Sequence, residues 1–430
     1  MNYARFLNAV SRARRPSPLR GLTEILQQSP PGTISMATGL PNVEQFPFED
    51  ATFKLRDNTS MHVNARDMKK ALQYTATPGL PELRDWLIDM QIQLHNPPTL
   101  DSSDPDTQMD LLVSTGSQHA LSTSCEMLLS KNDNVLTSSP LYPGTVAILR
   151  PIGTKFLTIE VDGDGMKVEQ IKEIMSHWDP ADGQSESSDI PRVLCVVPNG
   201  DNPSGAGLSL ERKKEIYAIA QKYNMIIMED DPYFFIQFNK PKVPSFLSLD
   251  IDGRVLRFDS FSKILSAGMR VGFVTGPKYL LSKVNMHMQS SVLHTGGMSQ
   301  MLIFKLLEKW GMDGFLSHTD KVAAFYEERR DILMESADRW LRGMAEWHEP
   351  RGGMFLWMKL LGIEDTTPLI MKRARDKGVL FVPGGVFYPE SDKKSSHIRA
   401  AYSLCTPEEM DKGMERLSII VKEELSELRQ

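Results

Sequence analysis

The chain has 430 residues, enough for two domains around a sizeable buried core. Its 41% hydrophobic and 24% charged content is that of an ordinary globular protein, and 49 basic against 55 acidic side chains give a net charge of −6, which argues against nucleic-acid binding. No apolar run approaches the roughly 20 residues of a membrane helix. The three cysteines, Cys125, Cys195 and Cys405, are far apart and support neither a disulfide framework nor a zinc motif, so a reducing compartment is expected.

The first 23 residues carry Arg5, Arg12, Arg14, Arg15 and Arg20 and no acidic residue, with Phe6, Leu7 and Val10 as an apolar face. Such a segment reads as a mitochondrial targeting sequence or as a basic arm packed on the folded protein. Pro16, Pro18 and Arg20, leading into a predicted helix over 22–28, speak for the second reading. Residues 34–42 read as a strand running into a turn at Gly39 and Pro41. Helices are expected over 66–74 and 81–95, interrupted where Pro78, Gly79 and Pro81 forbid continuity, with Tyr74 just before the break.

From residue 109 short apolar runs alternate with amphipathic helices. Strands are predicted over 109–115, 134–137, 155–160, 192–197, 225–228 and 255–258, and helices over 118–129, 167–177 and 210–223. This alternation predicts an α/β fold: a large domain with a mostly parallel central sheet sandwiched by helices. Long helices over 277–310 and 314–340 lead into a smaller α+β domain, with strands at 354–359, 379–382 and 396–402 and helices at 367–377 and 407–425. The expected division is an arm over 1–45 packing with the small domain, a large domain over 46–320 and a small domain over 321–430.

One stretch concentrates chemistry. Residues 259–272, DSFSKILSAGMRVG, hold Lys263, an amine able to form a Schiff base with a carbonyl. Ser260, Ser262 and Arg270 can hold a phosphate by charge-assisted hydrogen bonds, and Gly268 and Gly272 permit close backbone approach. An exposed basic loop has similar composition. In open α/β sheets ligands bind beyond the carboxyl ends of strands. There Gly116-Ser117-Gln118 opens a helix, an anion site unless Ser117 is only its N-cap. Asn202 lies in a Pro- and Gly-rich loop that is either a plain turn or a ring-binding element. Asp230, in Glu229-Asp-Asp-Pro-Tyr233, is costly to bury unless it meets a cation.

The order G-S-Q, Tyr142, N-P-x-G, D-x-x-Y, S-x-S-K-x-x-x-x-G-x-R and Arg399 resembles the class I/II, fold-type I aminotransferases, which use pyridoxal 5′-phosphate (PLP). MNYARF, ALQYT, LHNPPT, VPNGDNPSG, ERKKEIY, EDDPY, DIDGR and GMFLW extend the resemblance over essentially residues 1–425, to members acting on L-kynurenine and L-2-aminoadipate. The resemblance implies that Lys263 attaches the cofactor, Asp230 keeps its pyridine nitrogen protonated, Asn202 and Tyr233 bond its phenolic oxygen, and Tyr142 stacks on its ring. It places Ser117, Gln118, Ser260, Ser262 and Arg270 on the phosphate, with Lys263, Asp230 and Tyr233 as the catalytic set. Arg399 would clamp the substrate α-carboxylate, with Arg20, Gly39, Tyr74 and Asn202 lining the substrate pocket and Tyr74 supplied by the second subunit of a homodimer. No metal, nucleic acid or membrane partner is implied. Against the family pattern, Asp201, Ser204, Pro143 and Thr38 stand where Asn, Thr, Ser and a small residue are commoner, and Thr38 bears on substrate range. The expected reaction moves an α-amino group to a 2-oxo acid such as 2-oxoglutarate in the mitochondrial matrix, with the cytoplasm as the alternative location. The rival readings are a broad aromatic aminotransferase, a lyase on the same scaffold and a PLP-sensing regulator, the last disfavoured by the acidic charge and by the roughly 30 residues ahead of the catalytic-type region.

Overall fold

A computed structural model describes residues 1–17, 29, 30, 32–34, 36 and 39–428. The predicted helix over 22–28, together with Arg20 and Thr38, lies outside them. The chain divides into two compact units, Met1–Ser130 with Phe246–Ser317 and Lys131–Ser245 with His318–Gln430. In chain order the strands are β1 (Ala51–Lys54), β2 (Ser60–Val63), β3 (Met109–Ser114), β4 (Asn134–Ser139), β5 (Lys155–Asp162), β6 (Gly165–Met166) and β7 (Val193–Val196). They continue with β8 (Ile226–Asp230), β9 (Val255–Ser260), β10 (Gly272–Pro277), β11 (Ala345–Trp347), β12 (Phe355–Leu360), β13 (Val382–Pro383) and β14 (His397–Ala401).

In the first unit β1 and β2 form an antiparallel hairpin, and β10 pairs antiparallel with both β3 and β9. Every residue of β10 is buried. This strand is absent from the sequence reading because Gly272 and Gly276 interrupt its apolar run. Both glycines are needed: a Cβ on Gly276 would lie 2.8 Å from the Val255 carbonyl oxygen, and one on Gly272 2.6 Å from that of Asp259. The helix expected over 277–310 is two, Lys278–Ser291 and Gly297–Leu341, the second broken at Gly311 with φ 62°. Between them Leu293 takes φ 69°, a conformation that ends a helix.

The described residues 1–17 of the N-terminal arm make contacts inside this first unit. Tyr3, Phe6 and Leu7 are buried. The Tyr3 hydroxyl donates to the Gly253 carbonyl at 2.7 Å, and its ring stacks on Tyr279. Asn8 caps the helix Ala9–Ala13 and donates to the Glu126 and Leu129 carbonyls at 2.6 and 2.9 Å.

In the second unit β8, β7, β4 and β5 run parallel in that order, with β6 antiparallel at the edge. The all-buried patterns of β7 and β8 are what a parallel strand covered on both faces requires. Helices Val168–Met175 and Leu210–Lys222 pack on β5 and β8, the second capped by Ser209, whose hydroxyl accepts from the Arg212 amide at 3.2 Å. The helix Pro143–Ile152 is unforeseen because Pro143, Gly144 and Pro151 look like breakers. Pro143 is its first residue, where the missing N–H costs nothing.

The same unit holds a smaller antiparallel sheet, β11-β12-β14-β13, with the helix Pro407–Leu428. The mostly parallel sheet and the smaller α+β part agree with the predicted class. Period-two alternation sets two faces on the smaller sheet. Leu356, Met358, Leu360, Ile398 and Ala400 are buried, and Phe355, Trp357, His397 and Arg399 lie on the other face. Among the described residues no helix is long and apolar enough to cross a membrane.

Candidate active site

The first unit brings together the expected anion-binding residues. Ser260 ends β9, and its hydroxyl accepts from the Ser262 amide at 3.2 Å, fixing the short 3-10 turn Phe261–Lys263. Lys263 therefore leaves the turn directly after the strand, half-buried. Arg270 turns back at φ 52°, and its Nη1 donates to the Ser262 hydroxyl at 3.1 Å and the Ala267 carbonyl at 3.2 Å. A positive φ on a non-glycine residue is strained, and strain of that kind collects at ligand clamps.

Gly272 pairs with Ser114 on one side and Ser260 on the other, so the ends of β3 and β9 meet across it. Beyond β3, Gly116 at φ 78° begins the helix Ser117–Leu128 without a side-chain cap. A Cβ on Gly116 would collide with the Arg270 guanidinium, and one on Gly272 would lie 2.6 Å from the Ser117 nitrogen. Two serine hydroxyls, a guanidinium and an open helix N-terminus thus converge beside Lys263, with Ser117 and Gln118 in the first turn. Of the two glycines expected to allow close approach, only Gly272 does so. Gly268 has only the Ser266 hydroxyl nearby, at 4.0 Å, because its loop is exposed.

Tyr74 and Gly39 are exposed in this unit. The Tyr74 ring meets His294 edge-on at 6.0 Å, and a Cβ on Gly39 would touch nothing within 4 Å.

The second unit holds the other expected set. Asp230 ends β8, and Tyr233 follows on the next turn, 4% exposed. Burial, then the charge of Asp230, raises the Tyr233 pKa, so its hydroxyl stays protonated and can donate. Beneath this turn Asn199 donates to Asp231 at 2.8 Å. The loop after β7 is held by backbone packing. Gly200 takes φ 55°, and a Cβ there would lie 2.5 Å from the Gly352 carbonyl carbon.

Asn202 in that loop accepts from Arg399 Nη1 at 2.8 Å. The Arg399 guanidinium lies over the Phe355 ring at 4.2 Å from its centroid and over that of Phe387 at 5.1 Å. Desolvation lowers its pKa, opposed by Tyr233 and Tyr142. Arg399 Nε is buried with no hydrogen-bond partner among the described residues, a donor left for a ligand. Tyr142 precedes the helix Pro143–Ile152 and lies against Gly144, where a Cβ would be 2.6 Å from the tyrosine Cζ. Phe355 and Phe387 were missed as site residues. The period-two alternation of β12 marked the first, and no local pattern marked the second.

The donor set of the first unit fits a phosphate dianion, with a lysine at its edge for an aldehyde. That is the chemistry PLP requires. The profile of the family described as aminotransferase class I and II matches residues 32–417. The chain is 47% identical over 425 residues to the mitochondrial kynurenine/alpha-aminoadipate aminotransferase of Bos taurus, covering 99% of this chain and all of that one. Among solved structures it is similar to aminotransferase Aro8 of Candida albicans, with TM-score 0.87, 28% identity and 99% of each chain covered. It is also similar to the kynurenine aminotransferase of Pyrococcus horikoshii, solved in complex with PMP, with TM-score 0.76, 30% identity and 99% and 98% covered. This protein therefore belongs to the class I and II aminotransferases, enzymes whose cofactor is pyridoxal 5′-phosphate.

Proposed function

We propose that this enzyme moves the α-amino group of L-kynurenine and L-2-aminoadipate to a 2-oxo acid such as 2-oxoglutarate, in two half-reactions of a ping-pong cycle. What supports this reading is that Ser260, Ser262, Arg270 and the open N-terminus of Ser117–Leu128 gather around the turn that carries Lys263. The choice of donors is supported by the full-length similarity to the bovine relative of that name.

When bound, PLP supplies an aldehyde for an amine and a ring that accepts negative charge from the substrate Cα. Lys263 would hold the cofactor through Nζ, and the same amine would move the proton from the substrate Cα. Asp230 keeps the ring nitrogen protonated, electrostatic stabilisation matched to charge that develops in the transition state. Asn202 and Tyr233 would donate to the phenolic oxygen, and Tyr142 would pack against the ring. Ser117, Gln118, Ser260, Ser262 and Arg270 hold the phosphate.

Arg399 receives the α-carboxylate. Arg20, Gly39 and Tyr74 line the distal part of the substrate pocket, Tyr74 coming from the second subunit of a homodimer. We also propose the division into an arm over 1–45, a cofactor-carrying domain over 46–320 and a small domain over 321–430, working in the mitochondrial matrix. Purified enzyme assayed against a matrix of amino donors and 2-oxo acids tests the substrate choice. Highest kcat/KM with L-kynurenine and L-2-aminoadipate is expected, and higher values with phenylalanine or tyrosine than with either refute it.

A further inference from the structure

Resting on the reading that Arg399 receives the substrate α-carboxylate, we propose that Phe387 is a positioning residue for this arginine. Its ring holds the guanidinium, while its main chain ties the same turn to the segment that enters Tyr142. The alternation of β12 and β14 places Phe355, Trp357, His397 and Arg399 on one face, and Trp357 is the direct cross-strand partner of Arg399. Phe387 is 1% exposed and meets Trp357 edge-on, with centroids 5.2 Å apart and planes at 81°. Trp357 stacks on His397 at 5.0 Å and 11°. An unbroken series of ring contacts thus runs from His397 through Trp357 and Phe387 to the guanidinium, which also lies over Phe355.

The turn that carries Phe387 has little freedom to move. Gly384–Phe387 is a single 3-10 turn. A Cβ on Gly384 would lie 2.6 Å from the His397 carbonyl oxygen, and one on Gly385 2.6 Å from that of Lys393, so the turn is seated directly on the chain leading into β14. At its far end the Phe387 carbonyl accepts the Leu141 amide at 2.7 Å. The next residue, Tyr142, starts the helix Pro143–Ile152. One residue therefore sets the arginine by its side chain and the Tyr142 segment by its backbone.

An arginine side chain carries large rotamer entropy, and rings against its guanidinium remove that freedom before the ligand arrives. Among the described residues the bond to Asn202 is the hydrogen bond that orients the guanidinium from the protein side. Ring contact is what fixes the rest of its geometry.

The test uses PLP-saturated enzyme carrying Phe387→Leu and, in parallel, Phe387→Met, both of which keep apolar volume without an aromatic face. The probe is 4-phenylbutanoate, a monocarboxylate that cannot react, titrated calorimetrically alongside steady-state kinetics. Its Kd and the donor KM should rise about three- to thirtyfold while kcat stays within about twofold, because binding rather than chemistry is weakened. Arg399→Ala should weaken the probe as well, and Phe387→Leu added to Arg399→Ala should cost nothing further.

An unchanged Kd in both Phe387 variants, with Arg399→Ala weakened, overturns this inference and leaves the carboxylate reading standing. An unchanged Kd in Arg399→Ala removes that reading and the inference with it. Additive losses in the double variant, or failure of both Phe387 variants to fold, would make Phe387 a packing residue and overturn the proposal too.

Discussion

Asp201 is 4% exposed in the loop after β7, and its carboxylate accepts the Ser204 hydroxyl at 2.6 Å. The backbone amides of Ser204 and Asn202 also favour its charged form, yet burial outweighs them and pushes the pKa up to about 6 from 3.8. Between those pH values the folded chain binds a proton that the unfolded chain has lost. The stability contributed by Asp201 therefore falls as pH rises through that window and stays low above about 6. A rise of roughly two units at about 1.4 kcal/mol each caps the cost near 3 kcal/mol. Asp201→Asn removes the charge but replaces one accepting oxygen by an NH2, which either loses a backbone amide donor or obliges the Ser204 hydroxyl to accept where it now donates, and so takes back about 1 kcal/mol or more. The net expectation is stabilisation by about 1–2 kcal/mol at pH 7.5, shrinking as pH falls through 6 toward 4. Urea unfolding of parent and variant with saturating PLP, from pH 4.5 to 8, measures this directly. A variant that is less stable at pH 7.5, or a difference that is flat with pH, refutes the account of Asp201 as a buried charge.

Lys263→Ala should abolish turnover while leaving PLP bound non-covalently, and borohydride reduction that still fixes the cofactor to the variant would assign the Schiff base to another lysine. Gly272→Ala should force β10 away from the Ser117 amide and the Asp259 carbonyl, at an overpacking cost of about 1–3 kcal/mol. Its PLP should dialyse out faster than from the parent, and equal retention with an unchanged unfolding midpoint would count against the tight cradle. Arg399→Ala should lose on the order of 2–4 kcal/mol in kcat/KM for every donor alike. Arg20→Ala should instead penalise L-2-aminoadipate more than L-kynurenine, since only the former leaves a distal charge unpaired, and equal losses would end the distal-site assignment.

What could be read in the sequence depended on whether a feature was contained in one short stretch. β7 is a continuous apolar run and β8 opens on one, Ile226-Ile227-Met228, before its two acidic residues; every residue of both is buried, and a window of a few residues predicts them. The helix Pro81–His95 announces itself by its leading proline. β10 failed for the opposite reason, because glycines demanded by neighbouring backbone replaced the side chains that mark a strand. The N-terminal arm was read by charge, and its placement follows from Tyr3, Phe6 and Leu7, which are buried while Arg12 and Arg15 stay outside.

The candidate site divides in the same way. Residues 260–272 carry an amine, three hydroxyls, a guanidinium and the glycine that lets the strands close, so the stretch shows its chemistry without any tertiary knowledge. The identity of Arg399 says only that a cation is present. What it can bind follows from cross-strand register: Trp357 is its partner on β12, Phe355 lies two residues earlier on the same face, and Phe387 arrives from a turn that no periodicity connects to either. Register is a property of pairing, set by which faces are buried, and a one-residue slip of β14 would put Ile398 or Ala400 where Arg399 now meets the rings. The buried side chains Ile398 and Ala400, on the same face as Leu356 and Met358 of β12, exclude that slip, since it would turn them out of the core. The hydrophobic face of the small sheet, with no part in the chemistry, is thus what aims the arginine.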